Sequence, residues 1–314
     1  MSTVTEGTVL RGGAPSVQEV GDGLFAYVQP DGSWMVNNTG FLVGPDGVTS
    51  IDTCSTERRT RTYLDALARV TPLPVRTLLN THHHPDHTAG NGLLPKATIV
   101  AQDNARAEMI ALGAAHPPGI WSEFDAGVLP FTPPFLTFPD RLTLWLGDRP
   151  CEVRHVGGPA HTTNDVVVWV PDAEVLYAGD LLFNGGTPFL LSGSVAGAIT
   201  VLEEVVRPLG ARTIVPGHGP VCGPEVIEDV LGYLRFVLDV AQRAAAAGVG
   251  PLEAARETDL GRFAGWTDPE RIVGNLHRAM AELAGTPAGG PIDAMSALRD
   301  MVTYNGGAPL TCLA

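Results

Sequence analysis

The stretch Val75-Arg76-Thr77-Leu78-Leu79-Asn80-Thr81-His82-His83-His84-Pro85-Asp86-His87 decides how this chain is read. Val75–Leu79 has the composition of a buried strand, and it delivers the backbone into a dense group of metal-competent side chains: His82, His84, Asp86 and His87. On an extended segment, side chains two apart share a side, so His82 and His84 can converge on one ion. Asp86 and His87 follow Pro85, where the chain turns, and can face a second ion nearby. Imidazole nitrogens with a carboxylate suit zinc. The same parity turns His83 away from its neighbours, as filler rather than ligand.

Three further motifs repeat one arrangement, a strand followed by a turn that exposes a ligand-type residue. Gly157-Gly158-Pro159-Ala160-His161-Thr162 offers a histidine, Tyr177-Ala178-Gly179-Asp180 an aspartate at a strand end, and Val215-Pro216-Gly217-His218-Gly219 another histidine. Small residues at such turns let the backbone approach an ion closely. All of them can lie at one rim of a sheet sandwich.

Strands and helices alternate outward from this loop. Gly23–Gln29 and Trp34–Val43 read as strands joined by the hairpin turn Pro30-Asp31-Gly32-Ser33, and Val48–Asp52 as a third. Ser55 or Thr56 then caps a helix to about Val70, with Glu57 in its first turn. Further strands are expected at Thr98–Ala101, Arg141–Leu146, Cys151–Val156, Val166–Val170, Val175–Ala178 and Thr213–Val215, with helices at Asp103–Leu112 and Val195–Val206. Residues 116–138 are too aromatic for a solvated linker and too rich in proline for a regular element, so they read as a lid or pocket wall. His116, within that wall, is a further residue a substrate could meet. From Pro224 the chain turns helical, at Glu225–Ala247, Pro251–Thr258, Asp268–Leu283 and Ile292–Thr303. The pattern predicts a layered α/β fold, with a catalytic domain over 1–248 and a helical extension over 249–314.

The composition narrows the function classes. The chain has 314 residues with 20 basic and 34 acidic side chains, a formal net charge of −14, and 44% hydrophobic residues, enough for a packed core. Lys96 is its only lysine and there is no basic run, which argues against nucleic acid and against anionic membranes as partners. Cys54, Cys151, Cys222 and Cys312 form no C-x-x-C pair and read as reduced thiols. Residues 1–15 lack the charged start and apolar core of a signal peptide, so a cytoplasmic location is expected. The apolar helix at 225–247 leaves room for a homodimer.

Taken in order, H-x-H-x-D-H at 82–87, His161, Asp180 and His218 resemble the motifs of the metallo-β-lactamase superfamily, over roughly residues 17–220. The resemblance implies an αββα sandwich with two Zn²⁺ in its cleft, either replaceable by Fe or Mn. In that scheme His82, His84 and His161 bind the first ion, Asp86, His87 and His218 bind the second, and Asp180 bridges both. His84 stands where the flavodiiron branch carries a glutamate. Asp180 stands where true β-lactamases usually have another residue, which points to branches acting on thioesters, lactones and phosphoesters.

Asp52, at the end of Val48-Thr49-Ser50-Ile51-Asp52, resembles the family's aspartate that orients a ligand histidine; it could also cap the helix that follows. Thr162 would hold the His161 turn. Two divalent ions activate water and polarise a carbonyl, Asp86 would both ligate and hold the nucleophile's proton, and no G-x-S-x-G nucleophile motif is present. The expected reaction is metal-assisted attack on an activated carbonyl of a small molecule.

Substrate identity rests on the walls. The hairpin 30–39, with Trp34 and Asn38, lies where this fold places a flap, and with Trp121, Phe124, Phe183 and Phe189 it suggests an apolar, aromatic guest. The pattern is similar to the branch serving as cyclases and thioesterases in aromatic polyketide assembly, where a substrate can ride on a carrier protein. A lactonase or a glutathione-thioester hydrolase would use the same ions; the latter normally has a basic binding motif in its helical C-terminal part, where this chain has Arg256, Arg262, Arg271 and Arg278 but no lysine, which counts against it. A β-lactamase or an iron-dependent oxygenase of the same fold stands further off.

Overall fold

Val166 to Val170 are all buried, yet they serve two different cores. Val166, Val168 and Val170 point one way, and Val167 and Trp169 the other, as the two-residue period of a strand requires. A strand apolar on both faces must lie between two layers. A computed structural model, describing residues 13–113 and 117–314, shows what those layers are.

The first sheet takes its seven strands in chain order: β1 (Ser16–Gly21), β2 (Leu24–Val28), β3 (Thr39–Gly44), β4 (Gly47–Ile51), β5 (Val75–Leu79), β6 (Thr98–Gln102) and β7 (Leu136–Phe138). It is antiparallel from β1 to β4 and parallel from β4 to β7. The second sheet runs β12 (Thr213–His218), β11 (Val175–Phe183), β10 (Val166–Val170), β9 (Arg149–His155) and β8 (Arg141–Leu146), with only β11 and β12 parallel. Leu24, Ala26, Val28 and Leu42 of the first sheet meet Val153, Val166, Val168 and Tyr177 of the second in the central core. Burying one valine or leucine side chain there stabilises the fold by roughly 1.5–3 kcal/mol.

Helices cover both outer faces. Tyr63 and Leu67 of α1 (Glu57–Val70) pack on Tyr27 and Phe41 of the first sheet, and the Thr56 side chain caps this helix by accepting from Arg59 N–H. The outer face of the second sheet is covered by α4 (Val195–Val201), α5 (Glu225–Ala247), α6 (Pro251–Glu257), α7 (Arg271–Leu283) and α8 (Ala294–Tyr304), all within one apolar cluster. Gly248, where the sequence suggests a boundary, ends α5 in a left-handed turn, and the helices after it share that cluster. The apolar face of α5 is buried inside the chain. No described helix is long and apolar enough to cross a membrane.

Several elements differ from the sequence reading. The strand expected from Trp34 begins only at Thr39, because Asn37 and Asn38 spend their amides on other backbones and peel residues 30–38 off the sheet. β1 and β7 went unread: β1 is a mostly exposed edge strand without an apolar face, and β7 is three residues long after a proline-rich run. The helix expected over Val195–Val206 is regular only to Val201, continuing as a wide turn over Leu202–Val206. His116 lies outside the described residues.

Candidate metal centre

Strand ends bring the polar residues to one rim. Asp52 follows β4, and the loop after β5 carries His82 and His84 before α2 (Pro85–Thr88) presents Asp86 and His87. His161 sits in the turn between β9 and β10, and His218 closes β12. Asp180 is not at a strand end as its motif suggested. It lies inside β11, at an irregularity where Gly179 takes a left-handed φ of 52° and the pairing with β12 skips. That irregularity turns the carboxylate out of the sheet towards the histidines.

Two groups result, and both use Asp180. His82, His84, His161 and Asp180 form one; Asp86, His87, Asp180 and His218 form the other, with the ligand-type atoms of each within 4.8 Å of one another. Asp180 Oδ2 lies 3.9 Å from His82 Nε2, 3.4 Å from His161 Nε2 and 3.3 Å from His218 Nε2. Its Oδ1 lies 3.0 Å from His87 Nε2, and Asp86 Oδ2 lies 3.3 Å from His218 Nε2. Gly217 makes room for this carboxylate: a Cβ there would sit 1.9 Å from Asp180 Oδ1.

The far side of each ring is tied down. His87 Nδ1 faces Asp52 Oδ2 at 2.9 Å, His161 Nδ1 the Phe189 carbonyl at 2.6 Å, His218 Nδ1 the Gly32 carbonyl at 3.0 Å, and His82 Nδ1 the Thr81 hydroxyl at 3.1 Å. Such partners orient a ligand and choose which nitrogen faces the ion. Asp52 is itself fixed, accepting from Thr81 N–H and Thr81 hydroxyl at 2.7 Å each. Of the two roles open to it, the geometry selects the one towards His87, and Thr56 does the capping. Thr162 donates from its N–H and hydroxyl to Asp165 at 2.8 and 2.6 Å, which closes the His161 turn. Burial pushes the Asp165 carboxyl up to about 7. Asp165 has no place in the motif and went unread.

Electrostatics divide the site. Burial holds His82 and His84 well below the usual histidine value and brings His161 down to about 4. For His87 and His218 burial acts in the same direction, but the neighbouring carboxylates, Asp180 above all, outweigh it; His87 ends well above its ordinary value and His218 at about 9. Burial alone would raise Asp86 and Asp180, yet His87 and His218 hold both low. One group is therefore three neutral imidazoles beside a carboxylate, the other a paired set of charges.

Divalent cations fit this donor set. His82 Nε2, His87 Nε2 and Asp180 Oδ1 are buried without any hydrogen-bond partner; the 3.0 Å approach of the last two lacks hydrogen-bond alignment. Buried polar atoms without partners are costly, and here they converge on common points with nitrogen and oxygen donors in the mix that zinc and its neighbours accept.

A family model described as "Metallo-beta-lactamase superfamily" matches residues 32–218, which takes in every residue of both groups. The chain belongs to this superfamily. Among its relatives, a hydroxyacylglutathione hydrolase of Rhodospirillum rubrum is 32% identical over 60% of this chain and 64% of its own length, so the match leaves over a third of that relative uncovered. A metallo-beta-lactamase type 2 of Bacteroides fragilis is 26% identical over 68% of this chain and 82% of that one. The fold is shared with a metallo-beta-lactamase from Pontibacter korlensis, with a TM-score of 0.59 at 18% identity over 71% of this chain and 99% of the other. DIM-1 metallo-beta-lactamase gives 0.57 at 19% identity, over 71% and 97%.

As in a superfamily hydrolase cleft, the ligand groups open into a cavity, here of about 200 Å³. Trp34, Trp121 and Phe183 line it as the sequence suggested, together with Phe189, Leu191 and Leu298. Asn38 does not line it. Its amide donates to the carbonyls of Pro216 and Gly219 at 2.9 and 2.6 Å, so it ties the loop to the His218 turn instead of meeting a guest. Phe124 does not line the cavity and packs against the cluster of Met35, Cys312 and Ala314. His83 is buried against Asn164 and Glu108 and joins neither group, although its ring lies 4.6 Å from that of His84. Of the four C-terminal arginines only Arg271 reaches the cavity, sandwiched 4.0 Å from the Trp34 ring and 5.3 Å from Phe183. Arg278 is used up on the carbonyls of Leu191 and Gly290.

Proposed function

We propose that this chain is a binuclear zinc hydrolase that attacks the activated carbonyl of a small thioester, ester or lactone with an apolar, aromatic acyl part. The observation that carries this reading is two ligand groups sharing Asp180 beneath a cavity walled by Trp34, Trp121, Phe183 and Phe189. His82, His84 and His161 would hold one ion and Asp86, His87 and His218 the other, with Asp180 common to both; Fe or Mn could take either place. Such ions supply activated water at neutral pH and polarise a carbonyl oxygen.

The chain's own residues supply the rest. Asp86 lines the cavity and its carboxylate would take up the proton of the attacking water. The aromatic walls enclose the acyl group and exclude bulk water, while Asp52, Phe189 and Gly32 keep the imidazoles from swinging. A planar polyketide thioester delivered by a carrier protein, to be released or cyclised, would be one such guest.

A second reading, a glutathione-thioester hydrolase, draws on the Rhodospirillum rubrum relative. It is weakened by the cavity, in which Arg271 is the sole arginine among the described residues and is already engaged with Asp268 at 2.7 Å and the Thr187 carbonyl at 2.9 Å. Metal analysis of the purified protein, followed by a panel of aryl thioesters, aryl esters, lactones, a glutathione thioester and a chromogenic cephalosporin, tests both. We expect about two equivalents of zinc and fastest turnover of aryl thioesters or esters. A protein that binds no divalent metal, or that turns over the cephalosporin alone, overturns the proposal.

A further inference from the structure

Residues Leu310–Leu313 return to the cavity wall from the far end of the described chain. Leu310 N–H donates to the Ile120 carbonyl and Ser122 N–H to the Leu310 carbonyl, both at 2.8 Å, so the segment pairs with the wall beside Trp121. Cys312 N–H donates to the Ser122 hydroxyl at 2.9 Å, and its thiol faces the Trp34 carbonyl at 3.8 Å. The Arg59 guanidinium donates to the Leu313 carbonyl and, at 2.8 Å, to Gln29 Oε1, which anchors the segment to the base of the 30–38 loop. Leu310 and Cys312 are fully buried.

The same loop is gripped from its other side by the approach to α7. Trp34 Nε1–H donates to Glu270 Oε1 at 2.7 Å, and Arg271 stacks on the indole ring. Trp34 also meets Trp121 and Phe189 edge-on at 5.6 and 4.9 Å. Glu270, Arg271 and Leu310–Leu313 all lie beyond residues 32–218, the part matched by the superfamily model. The grip on Trp34 is a feature of this chain's own C-terminal part.

We propose that Leu310–Leu313 is a strap which, with Glu270 and Arg271, holds Trp34 and Trp121 as a preformed wall and thereby sets selectivity for aromatic acyl groups; this rests on the acyl-hydrolase reading above. Between the anchors at Gly32 and at Asn37 and Asn38, residues 33–36 have no strand partner among the described residues, so without this grip they would sample many conformations. A substrate binding an unheld loop would have to order it, whereas a held wall is ready-made, and preorganisation appears as tighter binding of whatever fits it. Leu310, Ser122 and Cys312 act through Trp34 and Trp121 and are positioning residues.

The test compares wild type with Leu310→Asp and the milder Ser122→Ala by amide hydrogen exchange, metal content and kinetics on an aryl and an acetyl thioester. Leu310→Asp should raise exchange in 33–38 and 120–124 by at least ~10-fold while 82–87 and metal content stay unchanged. KM for the aryl thioester should rise ~10-fold with kcat within about twofold, and the acetyl thioester should be unaffected. Unchanged exchange at 33–38, or equal losses on both substrates, overturns the strap. If Leu310→Asp fails to fold, Ser122→Ala decides by the same readouts with a smaller shift. If wild type turns over neither thioester, the hydrolase reading fails by itself. Exchange at 33–38 and quenching of tryptophan fluorescence by 2-naphthoic acid then decide the strap alone.

Discussion

The Asp52 carboxylate lies 2.9 Å from His87 Nδ1 and is held there by two hydrogen bonds from Thr81, one residue before His82. One buried side chain thus ties the β4 end to the β5 loop and turns His87 so that Nε2 faces Asp180. Its backbone takes a left-handed φ of 61°, a conformation that costs a non-glycine residue and persists only where surroundings enforce it.

Asp52→Ala should therefore lower affinity at the Asp86/His87/His218 group by ~10–100-fold and leave the His82/His84/His161 group loaded. Competition with a graded series of zinc chelators reads the two sites separately. Equal loss at both would mean that Asp52 serves the loop as a whole.

Asp86→Asn keeps the size of the side chain and removes its charge and its capacity as a base. We expect kcat to fall by ~10²–10⁴ with the chain still folded. Metal content measured on the same sample separates a lost base from a lost ligand, since a protein with two full equivalents and a low kcat isolates the proton-transfer role.

Gly217→Ala places a methyl 1.9 Å from Asp180 Oδ1 and 2.8 Å from the Gly179 carbonyl carbon, so backbone or carboxylate must move. Destabilisation of ~1–3 kcal/mol is expected from overpacking, together with loss of metal from both groups because both use Asp180. A denaturant melt and metal analysis check the two effects. A variant that keeps both ions would place Asp180 outside the shared position.

Metal binding should depend on pH with a defined sign. In protein stripped by a chelator, His218 titrates near 9 and His87 is also raised, so both carry protons at pH 7. An imidazole must shed its extra proton to ligate, so uptake at this group releases protons and its affinity should climb as pH rises from 6 towards 9. His82, His84 and His161 are already neutral at pH 7 and their group should show little dependence above pH 6. Calorimetry in buffers of differing ionisation heat counts the released protons; none released at the second group would contradict the charge pattern.

Much of the centre was legible in the chain because ligands and strands leave local patterns. The two-residue period placed His82 and His84 on one side and turned His83 to the other, and the unbroken apolar run Val166–Val170 read as a strand. Asp180 was read in the wrong local setting, since a strand irregularity at Gly179 has no signature separable from a strand end. Asn38 was read as a substrate contact because an amide in a flap loop looks free until its partners, the Pro216 and Gly219 carbonyls, come into view.

By itself the sequence determined the donor set, the order of the strands that present it, and the superfamily, because each depends on residue types at short fixed spacings. Only the tertiary structure decided how that set is held and what it faces. Asp165 behind His161, Arg271 over Trp34 and Leu310 beside Ile120 are brought in by packing. A contact between residues 34 and 271 leaves no periodicity in either segment, because what selects it is the shape and burial of the assembled cavity wall.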